Sequence, residues 1–185
     1  DFRYDDAPKT ADNIETFKMV VKIIAQKHGL HATFMPKPLR KEAGSGMRTN
    51  MSLVQDGKDV FDDPSDGLCL SREGDYFFGG VMTHISGMTG LFNPLVNSYR
   101  RLVPGTEAPA YIFWARESRG PLIRLPARRE NGHTRIELLS PDATCNPYLS
   151  LAALLGAGLE GIEKQIAPPP EMRSNIHDMM PRQIE

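Results

Sequence analysis

Apolar residues recur at helical spacing near the start of the chain, from Ile14 onward. Thr10 or Asp12 can cap the start of this segment, and Gly29 follows its last turn as a left-handed terminator. An apolar residue every three to four positions is the pattern of an amphipathic helix. The sequence therefore predicts a first helix over residues 12–28.

Three further helices are predicted downstream. Residues 67–89 carry apolar side chains at helical spacing, interrupted by two adjacent glycines that would loosen the helix. A short helix is predicted over residues 93–102. The last helix, over residues 146–166, has the clearest signals, because Asn146 can cap it and Pro147 suits its first turn.

Short β-prone runs lie between these helices. Residues 50–55 alternate up to Asp56-Gly57, a strong hairpin signal, after which residues 58–61 can return as a second strand. Further strands are predicted over residues 31–36, 110–114, 122–125 and 134–139. Hairpin-like pairs interleaved with helices favour an α+β fold, a curved, mostly antiparallel β-sheet backed by helices, over a doubly wound parallel sheet.

Composition narrows the protein class. The chain has 185 residues, of which 40% are hydrophobic, a size and composition that suit one domain. Its net charge of -1 means that the protein as a whole does not attract nucleic acid or an anionic membrane. Cys69 and Cys145 form neither a disulfide framework nor a zinc motif, which fits a reducing cytoplasm. The sequence contains no apolar run of about 18 residues and does not begin with a secretion signal. Both ends are expected to be cuts through a longer protein.

Arginines are concentrated between residues 97 and 135, a segment that contains eight of the 14 in the chain. They are Arg100, Arg101, Arg116, Arg119, Arg124, Arg128, Arg129 and Arg135. A guanidinium binds carboxylate or phosphate through two parallel hydrogen bonds, so neighbouring strands that carry arginines could surround a polyphosphate. The alternative is a solvated face with ordinary ion pairs to nearby glutamates.

Two carboxylates have an unusual context. Glu137 lies between apolar neighbours in RIELL, where burial would require a cation or a metal, although an outward-facing strand glutamate is the more frequent case. Glu107 lies in the stiff loop VPGTEAP, which could hold an acid or base in place, or could be an ordinary surface loop. The histidines share no spacing, and the Gly-Ser-Gly of residues 44–46 lacks the ending of a phosphate loop. Aromatics beside arginine in FWARESRGPLIRLP could stack on RNA bases or pack in a core.

These segments together resemble the catalytic domain of glutamine synthetase of the bacterial and archaeal type. The resemblance rests on DFRYDDAPKTADNIETFK, KHGLHATFMPKP, GSGM, NPLVNSYRRLVPG, EAP, SRGPLIRLPA, TRIELLSPD and NPYLSLAALLGAGLEGI, which stand in the family's order and spacing. It implies that residues 1–185 are a partial catalytic domain without the family's N-terminal β-grasp domain and C-terminal helices.

The resemblance implies an ATP-dependent ligase that phosphorylates the side-chain carboxylate of glutamate and lets ammonia displace the phosphate. Mg²⁺ or Mn²⁺ would neutralise the transferring phosphoryl group. The family forms homo-oligomers, typically rings of twelve, in which a neighbouring subunit's β-grasp domain completes the site. This fragment alone is therefore expected to be inactive, and neither nucleic acid nor a membrane is an expected partner.

Residue roles follow from the resemblance only at matching positions. Glu137 resembles the strand glutamate on the second metal. Arg119 and Arg124 resemble arginines that hold phosphates, with Arg119 also assigned to catalysis, and Arg135 resembles one on the nucleotide side.

The substrate end of the site also has matching positions. Arg101 matches the arginine that grips the substrate α-carboxylate, and Gly44 matches a loop glycine at the substrate amino group. Glu107 matches a flap glutamate that closes the site and accepts a proton from ammonium. Asn50 and Ser52 occupy strand positions near the nucleotide.

Three positions depart from the family pattern. Arg48 stands where the family's GSGMH has a histidine ligand of the second metal, and a guanidinium cannot ligate a metal. Ala43 replaces an asparagine at the substrate amino group, and Leu139 replaces an arginine that contacts the substrate carboxylate. Ligation of another amine, such as a polyamine or alkylamine, and a catalytically impaired homologue with a regulatory or structural role are therefore the alternatives to glutamine synthesis.

Overall fold

The structure is a computed structural model that describes residues 1–66, 69–106, 108–116, 120–126 and 134–172. Its helices are α1 (Ala7–Lys27), α2 (Arg72–Phe92), α3 (Val96–Arg101) and α4 (Pro147–Lys164). Its strands are β1 (Thr49–Met51), β2 (Val54–Gln55), β3 (Lys58–Asp59), β4 (Trp114–Ala115), β5 (Ile123–Arg124) and β6 (Ile136–Leu138). Within these ranges, no helix has the length and hydrophobicity needed to cross a bilayer.

Four strands form one sheet in the order β1-β6-β5-β4. β6 pairs antiparallel with β1 and with β5, whereas β4 and β5 are parallel. β2 and β3 form a separate hairpin whose turn residues, Asp56 and Gly57, both have positive φ, as predicted from the Asp-Gly signal. The mostly antiparallel sheet with its helices confirms the predicted α+β class.

One hydrophobic core joins the sheet to α2 and α4. Its members include Phe77, Phe78, Val81, Trp114, Ile123, Ile136, Leu138, Leu154 and Ala157. Side chains alternate between the two faces of a strand. Because Ile136 and Leu138 enter this core, Glu137 between them lies on the opposite face of the sheet.

Glycines bring α2 and α4 into backbone contact. A Cβ added to Gly80 would lie 2.2 Å from the carbonyl oxygen of Ala157 and 2.7 Å from the Cα of Gly161. A Cβ on Gly161 would lie 2.1 Å from the carbonyl oxygen of Tyr76. Gly79 and Gly80 do not loosen the helix, because α2 continues unbroken through both. Instead, Gly80 allows the close approach of α4.

The first helix is longer than predicted. Asp6 occupies the cap position and Pro8 the first turn, which suits a residue without an amide hydrogen. Thr10 lies inside the helix, where its hydroxyl donates to the carbonyl of Asp5 at 3.3 Å. The predicted cap at Thr10 or Asp12 was therefore wrong, because the proline moves the start upstream.

The end of α1 was predicted correctly. Gly29 has φ of 69° and its amide donates to the carbonyl of Gln26 at 3.0 Å, while the Leu30 amide donates to Ala25 at 2.9 Å. This pair of bonds is the Schellman arrangement. The apolar pattern did not predict burial, however: Ile14 is buried, but Phe17 is 47% exposed.

Residues 31–36 form no strand, contrary to the prediction. The hydroxyl of Thr33 accepts a hydrogen bond from the Met35 amide at 3.1 Å, so the local backbone bonds to a side chain instead of a neighbouring strand. The Phe34 ring packs edge-on against Phe17 of α1 at 6.0 Å. Phe34 thus packs this run against α1.

Helix and strand boundaries elsewhere shift by a few residues. α2 begins at Arg72 because the Ser71 hydroxyl caps it by accepting from the Gly74 amide at 3.0 Å. α3 begins at Val96, beyond the predicted start. α4 is capped by Asn146, whose side chain accepts from the Leu149 amide at 3.1 Å, as predicted.

We predict that Gly80→Ala destabilises the protein by about 1–3 kcal/mol, because the added methyl overlaps the α4 backbone. Gly87→Ala, in the same helix, is the matched control, because a Cβ there meets nothing within 4 Å. It should be neutral or stabilising by up to ~1 kcal/mol through helix propensity. Urea unfolding of both variants checks this, and equal effects would contradict the close contact.

Candidate active site

Three predicted site residues lie side by side across the sheet. The register pairs Asn50 of β1 with Glu137 of β6, and Glu137 with Arg124 of β5. Directly paired residues on adjacent strands project from the same face. Asn50, Glu137 and Arg124 therefore form one polar row on the face opposite the hydrophobic core.

The centre of this row is an ion pair. The Nε of Arg124 lies 2.5 Å from Oε2 of Glu137, whose side chain is only 5% exposed. Burying a carboxylate is costly unless a cation and hydrogen bonds compensate it. The Arg124 side chain is 37% exposed, so part of it remains accessible to solvent.

Two more predicted residues extend the polar face. The Nε of Arg135 donates to Oδ1 of Asn50 at 3.0 Å, which links β1 to the residue before β6. Ser52 follows Asn50 by two positions, and its hydroxyl lies 3.4 Å from the Tyr4 hydroxyl. We define the polar face as Asn50, Ser52, Arg124, Arg135 and Glu137.

The Gly-Ser-Gly segment of residues 44–46, which we call the glycine loop, lies shortly before β1. The Ser45 amide donates to the carbonyl of Pro36, and the Met47 amide donates to the carbonyl of Pro141, each at 2.8 Å. A Cβ on Gly44 would lie 2.5 Å from the Pro36 oxygen. Both sides of the loop are thus held by backbone, and Gly44 permits the close approach.

Arg101 lies directly beneath this loop. A Cβ on Gly44 would be 2.9 Å from its Cγ, and a Cβ on Gly46 would be 2.8 Å from its Nη1. The structure thus brings together Gly44 and Arg101, the two residues predicted to contact the acidic substrate.

The Arg101 guanidinium is directed into the protein. It is 6% exposed, and its Nη2 donates to the carbonyls of Ser140 and Pro141, the latter at 3.3 Å. Burial lowers the pKa of Arg101, and the nearby carboxylate of Asp142 opposes that shift. Its hydrogen bonds anchor the chain segment that follows β6.

Sequence reasoning missed the residues that surround Arg101. Asn93 is fully buried, donates to the Ser140 hydroxyl at 3.0 Å and accepts from Arg101. Asp142 is also fully buried and accepts from the Thr144 amide at 2.8 Å. Asn93-Pro94 and Pro141-Asp142 are both recognisable turn signals, but neither pattern indicates that the two turns meet.

A family model described as "Glutamine synthetase, catalytic domain" matches residues 1–185. The chain belongs to this family. Glutamine synthetase of Thermus thermophilus is 53% identical over 183 residues, which cover 99% of this chain and 41% of that protein. Glutamine synthetase of Clostridium saccharobutylicum is 56% identical over 179 residues, covering 97% and 40%. The chain thus spans about two fifths of the length of these curated relatives.

Solved structures of the family share the fold. A structure titled "Apo GmaS without ligand" has a TM-score of 0.83 at 36% identity, over 96% of this chain and 41% of that one. A structure titled "GmaS/ADP complex-Conformation 1" has a TM-score of 0.79 at 35% identity over the same shares. The α+β architecture is therefore the architecture of this part of the glutamine synthetase family.

Two predicted residues of this family member, Glu107 and Arg119, lie outside the described residues. Their roles stay predictions. Among the residues that the structure does describe, no group of three or more histidine, cysteine or acidic side chains is placed to hold a metal ion. Among the described residues, the polar face therefore offers a metal ion one carboxylate, that of Glu137.

We predict that the Arg124–Glu137 pair has a coupling energy of about 1–3 kcal/mol in a double-mutant cycle. Arg124→Gln should destabilise more than Glu137→Gln, because it leaves a buried carboxylate without its cation. Urea unfolding of the singles and the double variant measures this.

The Glu160–Lys164 pair on α4 is the matched control, because both side chains are far more exposed than Glu137. Its coupling should be well below that of the buried pair. Equal coupling in the two pairs would contradict the burial of Glu137.

Proposed function

We propose that the complete protein is an ATP-dependent carboxylate–amine ligase that forms glutamine from glutamate and ammonia through γ-glutamyl phosphate. The observation that carries this proposal is the polar row, in which a buried Glu137 is held by Arg124 beside Asn50. The related GmaS fold has been solved as an ADP complex, which supports nucleotide binding by the same architecture.

The proposed reaction needs cations around a transferring phosphoryl group. Phosphorylation converts the carboxylate oxygen of glutamate into a good leaving group, which the amine then displaces. Arg124 and Arg135 lie on the polar face and are suited to bind phosphate oxygens through their guanidinium groups. We propose that Asn50 and Ser52 contact the nucleotide beside them.

A divalent cation, Mg²⁺ or Mn²⁺, is part of the proposal. When bound, it would neutralise phosphate oxygens. Glu137 fits such an ion, since Mg²⁺ takes one or two carboxylates and completes its shell with water and phosphate. The Arg124 contact keeps that carboxylate oriented on the polar face.

The substrate end is proposed at the glycine loop. Gly44 would bring its backbone to the substrate amino group. Arg101 would bind the substrate carboxylate through its Nε, which has no hydrogen-bond partner among the described residues, while its Nη2 stays on the backbone carbonyls. Glu107 would accept a proton from ammonium, and Arg119 would stabilise charge on the phosphoryl group. The family's homo-oligomer, a dodecamer, is the assembly we propose for the complete protein.

A second candidate is a ligase for a different amine, a γ-glutamyl-amine ligase. Ala43, Arg48 and Leu139 depart from the glutamine synthetase pattern. Ala43 directly precedes the glycine loop, Arg48 follows it by two residues, and Leu139 follows Leu138, which pairs with Thr49. A substrate-binding loop with altered polar contacts favours a changed amine or acid. The third candidate is a catalytically impaired homologue with a regulatory or structural role.

We predict that the complete protein releases phosphate from ATP when glutamate, ammonia and Mg²⁺ or Mn²⁺ are present. Glu137→Gln should lower kcat on the order of a hundredfold, because the variant loses the carboxylate proposed to hold the divalent cation that neutralises phosphate charge. Glu163→Gln, an exposed glutamate on α4, is the matched control and should retain activity.

Steady-state assays across ammonia, alkylamines and polyamines separate the candidates. Turnover with an amine but not with ammonia would establish the second candidate instead. No turnover with any amine from a folded oligomer would rule out a ligase and leave the impaired homologue.

A further inference from the structure

Arg48 occupies the last position before β1, between two fixed points of the backbone. On one side, the Met47 amide donates to the carbonyl of Pro141 at 2.8 Å. On the other side, Thr49 pairs with Leu138 of β6. The backbone of Arg48 is therefore held at the junction of the glycine loop and the sheet.

Extending the alternation of β1 by one residue assigns Arg48 to the polar face. Side chains two residues apart in an extended chain share a face, which groups Arg48 with Asn50 and Ser52. Continuing the register by one residue sets Arg48 opposite Leu139, an apolar residue that is only 7% exposed. The register then slips by one residue, since Gly46 bridges Asp142.

Arg48 differs from the arginines near it in having no protein acceptor within the described ranges. Arg124 is paired with Glu137, and Arg135 donates to Asn50. Arg101, on the other side of the glycine loop, is buried and donates to backbone carbonyls. Arg48 is exposed, so its donors remain available to a ligand.

The charges around Arg48 favour an anion. Glu137 is the acidic side chain of the polar face, and it already bonds Arg124. Asp142 lies beyond the register slip, fully buried, and accepts hydrogen bonds from Thr144. Arg48, Arg124 and Arg135 thus outnumber the carboxylate on this face, and a guanidinium binds an oxyanion through paired hydrogen bonds.

We infer that Arg48 is an oxyanion-binding residue of the site, which binds a carboxylate or phosphate oxygen of the substrates at the junction of the glycine loop and β1. This inference rests on the proposed function for the identity of the ligands. Under this inference, two arginines bind anions at the glycine loop, the exposed Arg48 and the buried Arg101.

The test is binding to the complete protein, measured by isothermal titration with L-glutamate alone and with ADP alone. Arg48→Ala should weaken one of these ligands by about tenfold or more, the usual loss for a hydrogen bond to a charged group. Arg48→Lys, which keeps the charge but not the planar fork, should lose less. Weakened glutamate binding identifies a carboxylate contact, and weakened ADP binding identifies a phosphate contact.

Arg100→Ala is the matched control, because Arg100 is an exposed arginine on α3, outside the polar face. It should leave both affinities unchanged, and thermal unfolding should show that all variants remain folded. Unchanged binding of both ligands by Arg48→Ala, or no binding of either by the unmodified protein, would overturn the inference. Because binding is measured without turnover, a protein that binds through Arg48 but releases no phosphate would contradict only the proposed function.

Discussion

The packing of Ile136 and Leu138 into the hydrophobic core is the interaction on which the candidate site depends. Both side chains are fully buried in the cluster that α2 and α4 share with the sheet. A shift of β6 by one residue would expose them and bury Glu137 in their place. The register is therefore strongly specified, and it places Glu137 between Asn50 and Arg124.

Arginines serve three different purposes around this sheet. Arg101 is buried and anchors the segment after β6 through backbone carbonyls. Arg124 compensates the charge of a buried carboxylate while remaining partly open to solvent. Arg48 is exposed at the end of the glycine loop. Composition alone makes these side chains equivalent, and their surroundings give them different chemistry.

Local signals in the sequence predicted the elements that depend on nearby residues. Asp56-Gly57 formed the hairpin turn, Gly29 ended α1, and Asn146 capped α4, because each is decided by the conformation of a few adjacent residues. Residues 31–36 failed as a strand because β-propensity cannot supply a pairing partner. Gly80 was misjudged for a similar reason, since its purpose lies in contact with another helix.

The sequence by itself determined the four helices, the α+β class and, through its resemblance to the glutamine synthetase family, a set of candidate residues. Only the tertiary structure decided which of these residues meet. The pairing of Arg124 with Glu137 and the position of Arg101 beneath Gly44 join residues far apart in the chain. Such contacts follow from strand register and core packing, which depend on burying apolar side chains from several elements at once.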